Sequence, residues 1–149
     1  MDAKRVVGEY LRRAISGGDP RAYEELCDPD IVFTSPYSAE PLRGLEAFRE
    51  TFLAMKRAFP DLRVEEQEAI AEGDLVAARW TASGTHTGPA FGELPEASGR
   101  RFEITGMSFY RVRAGRIVED TVNDDSLDRA VQHAQVHPPA RAMAPPGAV

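Results

Sequence analysis

Cysteine is nearly absent from this chain of 149 residues, in which Cys27 is the only one. A single cysteine excludes an intrachain disulfide. Lysine is also scarce, with Lys4 and Lys56 the only two, and acidic residues outnumber basic ones to give a net charge of -6. An acidic balance argues against a nucleic-acid-binding surface, so we expect no nucleic-acid partner.

Long apolar runs are absent too. No stretch approaches the roughly 20 apolar residues that a membrane-spanning helix needs, and the charged start of the chain lacks a signal-peptide core. We therefore expect a cytoplasmic protein that does not act at a membrane. Gly-rich phosphate loops and Ser-His-Asp arrangements are missing, and His133 and His137 have no third ligand. We expect neither a cofactor nor a metal site.

The first third of the chain carries helical patterns. Apolar residues recur at helical spacing from Val6 to Ile15, and Gly17 and Gly18 end that helix. Asp19 and Pro20 are typical of a helix start, which predicts a short helix to about residue 26. A third amphipathic helix is predicted over residues 45–59, where Pro60 breaks it.

The rest of the chain is predicted to form strands, because from Leu62 the apolar period changes to two. Predicted strands cover residues 31–33, 62–70, 75–84, 102–112 and 116–123, with a loop over 89–99 and a final helix over 127–135. This order predicts an α+β fold with N-terminal helices packed in a curved, mostly antiparallel sheet. We assign residues 1–136 to one domain and expect the Pro/Ala-rich tail 137–149 to be disordered.

Short motifs in a fixed order mark a family resemblance over residues 5–135. They are Pro-Asp-Ile-Val at 29–32, Phe-Pro-Asp at 59–61, Gly-Asp at 73–74, Gly-Thr-His-Thr-Gly at 84–88, Pro95 with Gly99 and Arg100, Arg111, and Gly-Arg-Ile-Val-Glu at 115–119 followed by Asp125. Together they resemble the SnoaL-like polyketide cyclases of the nuclear-transport-factor-2-like superfamily. The resemblance implies a cone-shaped α+β barrel, a polyketide substrate and a homodimer joined through the outer sheet face.

The acid–base groups that the resemblance implies are replaced in this chain. Alignment on Gly115 puts the family's pocket Asp at Val122 and its His at Ser108, and neither replacement can act as a general base near neutral pH. Relatives that isomerise ketosteroids carry a carboxylate where this chain has Ser35. The Arg-x-Asp of limonene-type epoxide hydrolases corresponds here to Trp-Thr-Ala at 80–82. Three familiar catalytic sets are therefore missing.

Other residues remain as candidates for the site. If Ser108 and Val122 point inward, the period of two brings Tyr110, Asp120 and Asp124 to the same face. Glu66 is a carboxylate on an apolar face, which indicates either a raised pKa or a bulged strand. The candidate catalytic residues are Asp120, Asp124, Glu66 and Tyr10, and the candidate substrate-binding residues are Trp80, Ser35, Ser108, Tyr110, Val122 and His86. Asp125 either has a function or caps the final helix.

The leading hypothesis is a cofactor-independent cyclase or isomerase that closes a ring in a polyketide-type natural product, as in antibiotic biosynthesis. Ring closure would use relocated carboxylates, or it would use substrate folding alone, for example in a [4+2] cyclisation. One alternative is a binding domain that holds a hydrophobic small molecule without catalysis. Another is an epoxide-opening hydrolase or cyclase with Glu66 as its acid or base.

Overall fold

A computed structural model describes residues 1–36, 38–92 and 94–125 of the chain. Its first helix, α1 (Ala3–Glu9), begins where the Asp2 side chain accepts a hydrogen bond from the Arg5 amide, and it continues as a π-helical segment, Tyr10–Ser16. Helix α2 (Pro20–Leu26) begins at the predicted Asp19 cap, and α3 is Leu45–Ala58. The predicted helix over 127–135, the domain limit at 136 and the tail 137–149 lie outside the described residues.

Six strands form one open, curved sheet in the described part of the chain. They are β1 (Cys27–Thr34), β2 (Leu42–Arg43), β3 (Arg63–Glu72), β4 (Leu75–Thr85), β5 (Arg101–Arg113) and β6 (Arg116–Asp124). Their order is β2-β1-β6-β5-β4-β3, in which only the β1–β6 pair is parallel. The predicted α+β fold is confirmed. None of the described helices is long and apolar enough to cross a membrane.

A bulge in β3 corrects one prediction. The register between β3 and β4 shifts at Gln67, because Glu66 pairs with Trp80 whereas Glu68 pairs with Arg79. The extra residue reverses the alternation, so Glu68 turns outward to form an ion pair with Arg79 and Ile70 is 74% exposed. A single period of two along the predicted strand 62–70 would put Glu68 and Ile70 on the same face as Leu62 and Val64, and the bulge shows that this is wrong.

The concave side of the sheet holds the core. Strand β4 alternates between buried and more exposed residues, and the buried ones face α1. The Phe48 ring of α3 packs among Tyr10, Tyr23, Phe33 and Phe52. Helices cover one face of the sheet, and the curvature leaves an unfilled space between that face and α3.

Candidate functional site

That space is a cavity of about 410 Å³ on the concave side of the sheet. Its wall comes from the π-helical segment that continues α1, from α3 and from the inward faces of β4, β5 and β6. The wall residues are Tyr10, Leu11, Ile15, Phe33, Ser35, Thr51, Phe52, Met55, Phe59, Leu62, Val64, Trp80, Ala82, Phe91, Phe102, Ile104, Ser108, Tyr110, Asp120, Val122 and Asp124. Eight of the ten predicted site residues are among them.

The cavity has a polar end and an aromatic end. On β5 and β6, Tyr110 lies opposite Asp120, and Ser108 lies opposite Val122. The polar side chains of these two pairs form the polar end together with Tyr10. Farther along β5, Phe102 packs edge-on against Phe59, which also meets the Phe91 ring edge-on. A ligand in this cavity would therefore meet hydrogen-bonding groups at one end and aromatic rings at the other.

Asp120 is the one acidic side chain that is buried in this wall, with 4% of its surface exposed. The Tyr10 hydroxyl donates to Asp120 Oδ2 at 3.1 Å, whereas Oδ1 has no hydrogen-bond partner. Burial raises the pKa of Asp120 to about 7, although the bond from Tyr10 opposes that rise. The pKa of Tyr10 rises well above 10, mainly through burial and then through the nearby Asp120 carboxylate. Tyr10 therefore remains a donor while Asp120 titrates near neutral pH.

Trp80 lies across the middle of the cavity and is fixed on two sides. Its indole Nε1 donates to Ser108 Oγ at 3.0 Å. Its ring occupies the space above Gly106 on β5, where any Cβ would overlap the indole atoms. Glycine at this position therefore allows the indole to pack directly against the backbone of β5 instead of farther into the cavity.

Two acidic residues follow each other at the end of β6 and have different environments. Asp125 accepts from the Thr105 amide and the Thr105 hydroxyl, at 2.8 and 3.1 Å. These bonds hold the end of β6 against β5, and the helix that Asp125 was expected to cap lies outside the described residues. Asp124 lines the cavity and is only partly buried. The Asp125 carboxylate therefore stabilises the pairing of β6 with β5, whereas the Asp124 carboxylate faces the cavity.

Glu66 and His86 do not line the cavity. Glu66 is exposed on the edge strand β3, next to the bulge, where no further strand covers it. His86 is fully buried, and its Nδ1 and Nε2 lie 2.7 Å from Ser98 Oγ and 2.5 Å from the Pro89 carbonyl oxygen. Because the carbonyl can only accept, Nε2 carries the proton. The prediction that His86 binds substrate is corrected: its ring holds the loop after β4.

Sequence reasoning missed much of the aromatic end. Phe102 and Ile104 have the same parity as Ser108 on β5, so the period of two could have placed both in the wall. Phe52 and Met55 belong to the apolar face of α3, and an amphipathic pattern by itself does not distinguish a cavity wall from the core. Phe91 lies on a loop, where no periodic signal could have identified it.

Comparisons with known proteins agree with this geometry. The sequence profile of the SnoaL-like polyketide cyclase family matches residues 5–133. The chain belongs to that family. No curated protein matches the chain. Among solved structures, IdmH of Streptomyces antibioticus, described as a candidate polyketide cyclase, is 29% identical with a TM-score of 0.77, covering 90% of this chain and 99% of IdmH.

Two further structures show how widely the fold is used. TsrD of Streptomyces laurentii is 27% identical with a TM-score of 0.75, and the match covers 91% of this chain and 99% of TsrD. AclR of Streptomyces galilaeus, described as a candidate hydroxylase, is 22% identical with a TM-score of 0.75, over 95% of this chain and 91% of AclR. That likeness concerns the fold alone, and fold by itself does not decide the reaction.

The family's acid–base positions can now be located. Ser108 and Val122 are direct cross-strand partners, and both line the cavity. The next inward pair along the strands is Tyr110 and Asp120, about 7 Å away at two residues of strand rise. This chain therefore has a buried carboxyl one inward position from the place where the resemblance puts the family's Asp.

The burial of Asp120 predicts a pH-dependent cost to folding. An acid whose folded pKa is raised destabilises the fold above its unfolded pKa near 4, and the cost is complete above the folded pKa of about 7. Asp120→Asn should remove that cost. The difference in the free energy of unfolding, variant minus wild type, should be about 2–4 kcal/mol larger at pH 8 than at pH 4. Urea unfolding across this range measures the difference, and parallel curves would contradict the prediction.

Proposed function

We propose that the protein is a cofactor-independent cyclase that closes a ring in a polyketide-type substrate by isomerisation. The single observation that carries the proposal is the environment of Asp120, a buried carboxyl with a pKa near neutrality at the polar end of an apolar cavity. Titratable groups held this way cluster at functional sites. The family membership and the apolar wall support a polyketide substrate.

The mechanism joins the two routes that the sequence left open. The cavity holds a flexible chain with its reacting carbons close together, and orientation of this kind can lower a barrier by several kcal/mol. Below pH 7 Asp120 is a neutral acid that can donate a hydrogen bond to a substrate carbonyl. In a [4+2] closure, two carbon–carbon σ bonds form as π bonds are consumed, and no atom is gained or lost. The Asp120 proton polarises the carbonyl and stays on the carboxyl.

A second candidate function is ligand capture without catalysis. The replacement of the family's Asp and His by Val122 and Ser108 favours it, because both groups of the acid–base pair are lost from the wall. The epoxide-opening alternative assigned acid–base work to Glu66. Since that carboxylate is exposed and outside the cavity wall, no feature of the site supports this alternative.

The experiment that tests the proposal is deletion of the gene in its host, followed by metabolite profiling with mass spectrometry. Any compound that accumulates is then given to the purified protein. Conversion to an isomer of equal mass supports a cyclase, and a gain of one water indicates hydrolysis instead. Stoichiometric retention of the compound without conversion supports ligand capture, and an unchanged profile contradicts the cyclase proposal.

We also propose that the outer face of the sheet joins two copies of the chain. Ile70, Ala77 and Phe109 form a row across β3, β4 and β5, and Met107 lies beside Phe109. Phe109 is 55% exposed and Met107 is 65% exposed. An exposed apolar patch of this kind on a sheet face is typical of a protein–protein interface. Outer-face pairing buries this patch and leaves the cavity on the other side accessible.

The dimer proposal predicts that Phe109→Glu gives a monomer. A charge in the centre of an apolar interface loses its hydration without gaining a partner, so the two copies should separate. Sedimentation velocity should give twice the chain mass of 16.4 kDa for the wild type and the single mass for the variant. Arg21→Glu, an exposed change on α2, is the control and should stay dimeric. A dimeric Phe109→Glu protein would reject this face.

A further inference from the structure

The part of the cavity wall that the structure describes has acidic residues but no basic ones. None of the described residues that line it is a lysine, an arginine or a histidine, whereas Asp120 and Asp124 both face it. A carboxylate bound here would lose water, find no cation in the wall and meet like charge. Burying an ion without a partner is far more costly than burying a neutral polar group. The wall therefore discriminates against anionic ligands.

The same wall offers hydrogen-bond donors to a neutral oxygen. Tyr10 keeps its proton near neutral pH, since burial raises its pKa well above 10. Asp120 is itself a donor below a pH of about 7. Both groups belong to the polar end of the cavity. While the Tyr10 hydroxyl donates to Asp120 Oδ2, the protonated Asp120 carboxyl can donate to a carbonyl oxygen placed there.

The inward positions of β5 connect the two ends of the cavity. They run from Phe102 at the aromatic end to Tyr110 at the polar end, eight residues or about 26 Å of strand. The Trp80 indole lies between these ends, opposite Gly106. A planar chain can stack on this ring, and rings that meet edge-on around Phe59 bound the far end.

We infer that the site binds an elongated, uncharged, conjugated carbonyl compound, with its carbonyl at the Tyr10–Asp120 end and its chain over Trp80, and that it excludes the matching carboxylate. This inference rests on the proposed function, for which it names the substrate class. A substrate that carries a carboxyl group would have to reach this site with that group masked. The reaction that supplies it is then one that leaves an ester, lactone, amide or ketone instead of a free acid.

Trp80 provides a direct assay, because it is the only tryptophan of the chain and lies in the cavity wall. The probes are methyl retinoate and retinoate, which share one polyene skeleton and differ in charge. Each is titrated into the purified protein at pH 8 while the indole fluorescence is followed. We expect methyl retinoate to bind at least about 10-fold more tightly than retinoate, since the acids of the wall repel the anion.

Two variants of one strand locate the bound probe. Ala82→Phe fills the cavity from β4, and Ser83→Phe places the same side chain on the opposite face of that strand, outside the proposed dimer interface. Binding of methyl retinoate should be lost in Ala82→Phe and kept in Ser83→Phe, with circular dichroism showing that both variants fold. Binding that survives in Ala82→Phe would place the probe elsewhere and overturn the inference.

Asp120→Asn tests the polar end. In the wild type, the affinity for methyl retinoate should fall a few-fold from pH 6 to pH 8, because Asp120 loses its donor proton in that interval. In the variant this pH dependence should vanish, and the preference for the ester over retinoate should shrink by about 3-fold or more. A preference that does not change would overturn the role of Asp120.

Other outcomes separate this inference from the proposed function. Retinoate binding as tight as that of the ester, or no quenching by either probe, would overturn the substrate class. Isomerisation of an accumulated metabolite could still be observed in both cases, and the cyclase proposal would stand. Selective binding of the ester without turnover of any metabolite would support the substrate class and leave ligand capture as the function.

Discussion

Asp120→Asn should lower kcat by about 10²–10³-fold on the substrate that gene deletion reveals, which is the range expected for one general acid or a hydrogen-bond donor to a developing charge. The amide keeps the shape of the side chain and can still accept from Tyr10, so the cavity should keep its form. Because the amide is a weaker donor than a carboxylic acid, the loss should appear in kcat more than in KM.

Matched variants show whether the loss belongs to Asp120. Asp124→Asn changes a carboxyl that faces the cavity with less burial, and Glu66→Gln changes one outside the cavity wall. Both should keep kcat within about 3-fold of the wild type, because neither side chain is buried among the donors of the polar end. Equal losses in all three variants would indicate a general electrostatic effect. Unchanged activity in Asp120→Asn would leave substrate folding as the whole mechanism.

The pH dependence of kcat shows whether Asp120 acts as a hydrogen-bond donor or as a general base. The neutral acid is the donor, so under the proposed mechanism kcat is constant below pH 7 and falls as Asp120 ionises above it. An aldol-type closure that needs Asp120 as a base gives the opposite profile, with kcat rising through pH 7. Either slope should disappear in Asp120→Asn. A wild-type profile without a slope near pH 7 would show that the protonation of Asp120 is irrelevant.

Local sequence signals predicted the fold because each boundary has a local physical cause. Asp19 and Pro20 start α2, Pro60 follows α3, and Gly115 turns β5 into β6, so three short motifs fix three element ends. Strand β1 begins earlier than predicted, at Cys27, because it pairs with the distant β6. That pairing leaves no periodic signal in the four residues before Ile31.

The site was predictable only along strands. A period of two correctly placed Ser108, Tyr110, Asp120, Val122 and Asp124 on one face, because alternation holds wherever the register is unbroken. It failed on β3, where the bulge at Gln67 reverses the faces. Whether these residues act on a substrate remains a prediction.

The bond between Tyr10 and Asp120 joins residues 110 positions apart and arises only from the packing of the first helix on β6. A π-helical segment begins at Tyr10, and such segments are often found at functional sites. No local pattern in the sequence separates this segment from an ordinary helix. The polar end of the cavity therefore depends on tertiary structure that residue spacing alone does not reveal.

Gly106→Ala should lower the free energy of unfolding by about 1–3 kcal/mol and weaken binding of methyl retinoate by about 10-fold or more. The added methyl group would overlap the Trp80 indole, which the bond to Ser108 holds in place. The ring must tilt toward the centre of the cavity or lose that bond. Chemical denaturation and fluorescence titration measure the two effects.

A double-mutant cycle shows whether Trp80 is the cause. In a Trp80→Leu background the indole is gone, so Gly106→Ala should cost much less, with a coupling free energy of about 1–3 kcal/mol between the two positions. Gly8 provides the matched glycine, because a Cβ there meets no atom within 4 Å and the residue lies inside α1. Gly8→Ala should stabilise the fold by about 0.5–1 kcal/mol and leave binding unchanged. If the unfolding free-energy costs of Gly106→Ala and Trp80→Leu are additive, Gly106 is needed for the strand itself and not to make room for the indole. The position of the indole in the cavity would then need another explanation.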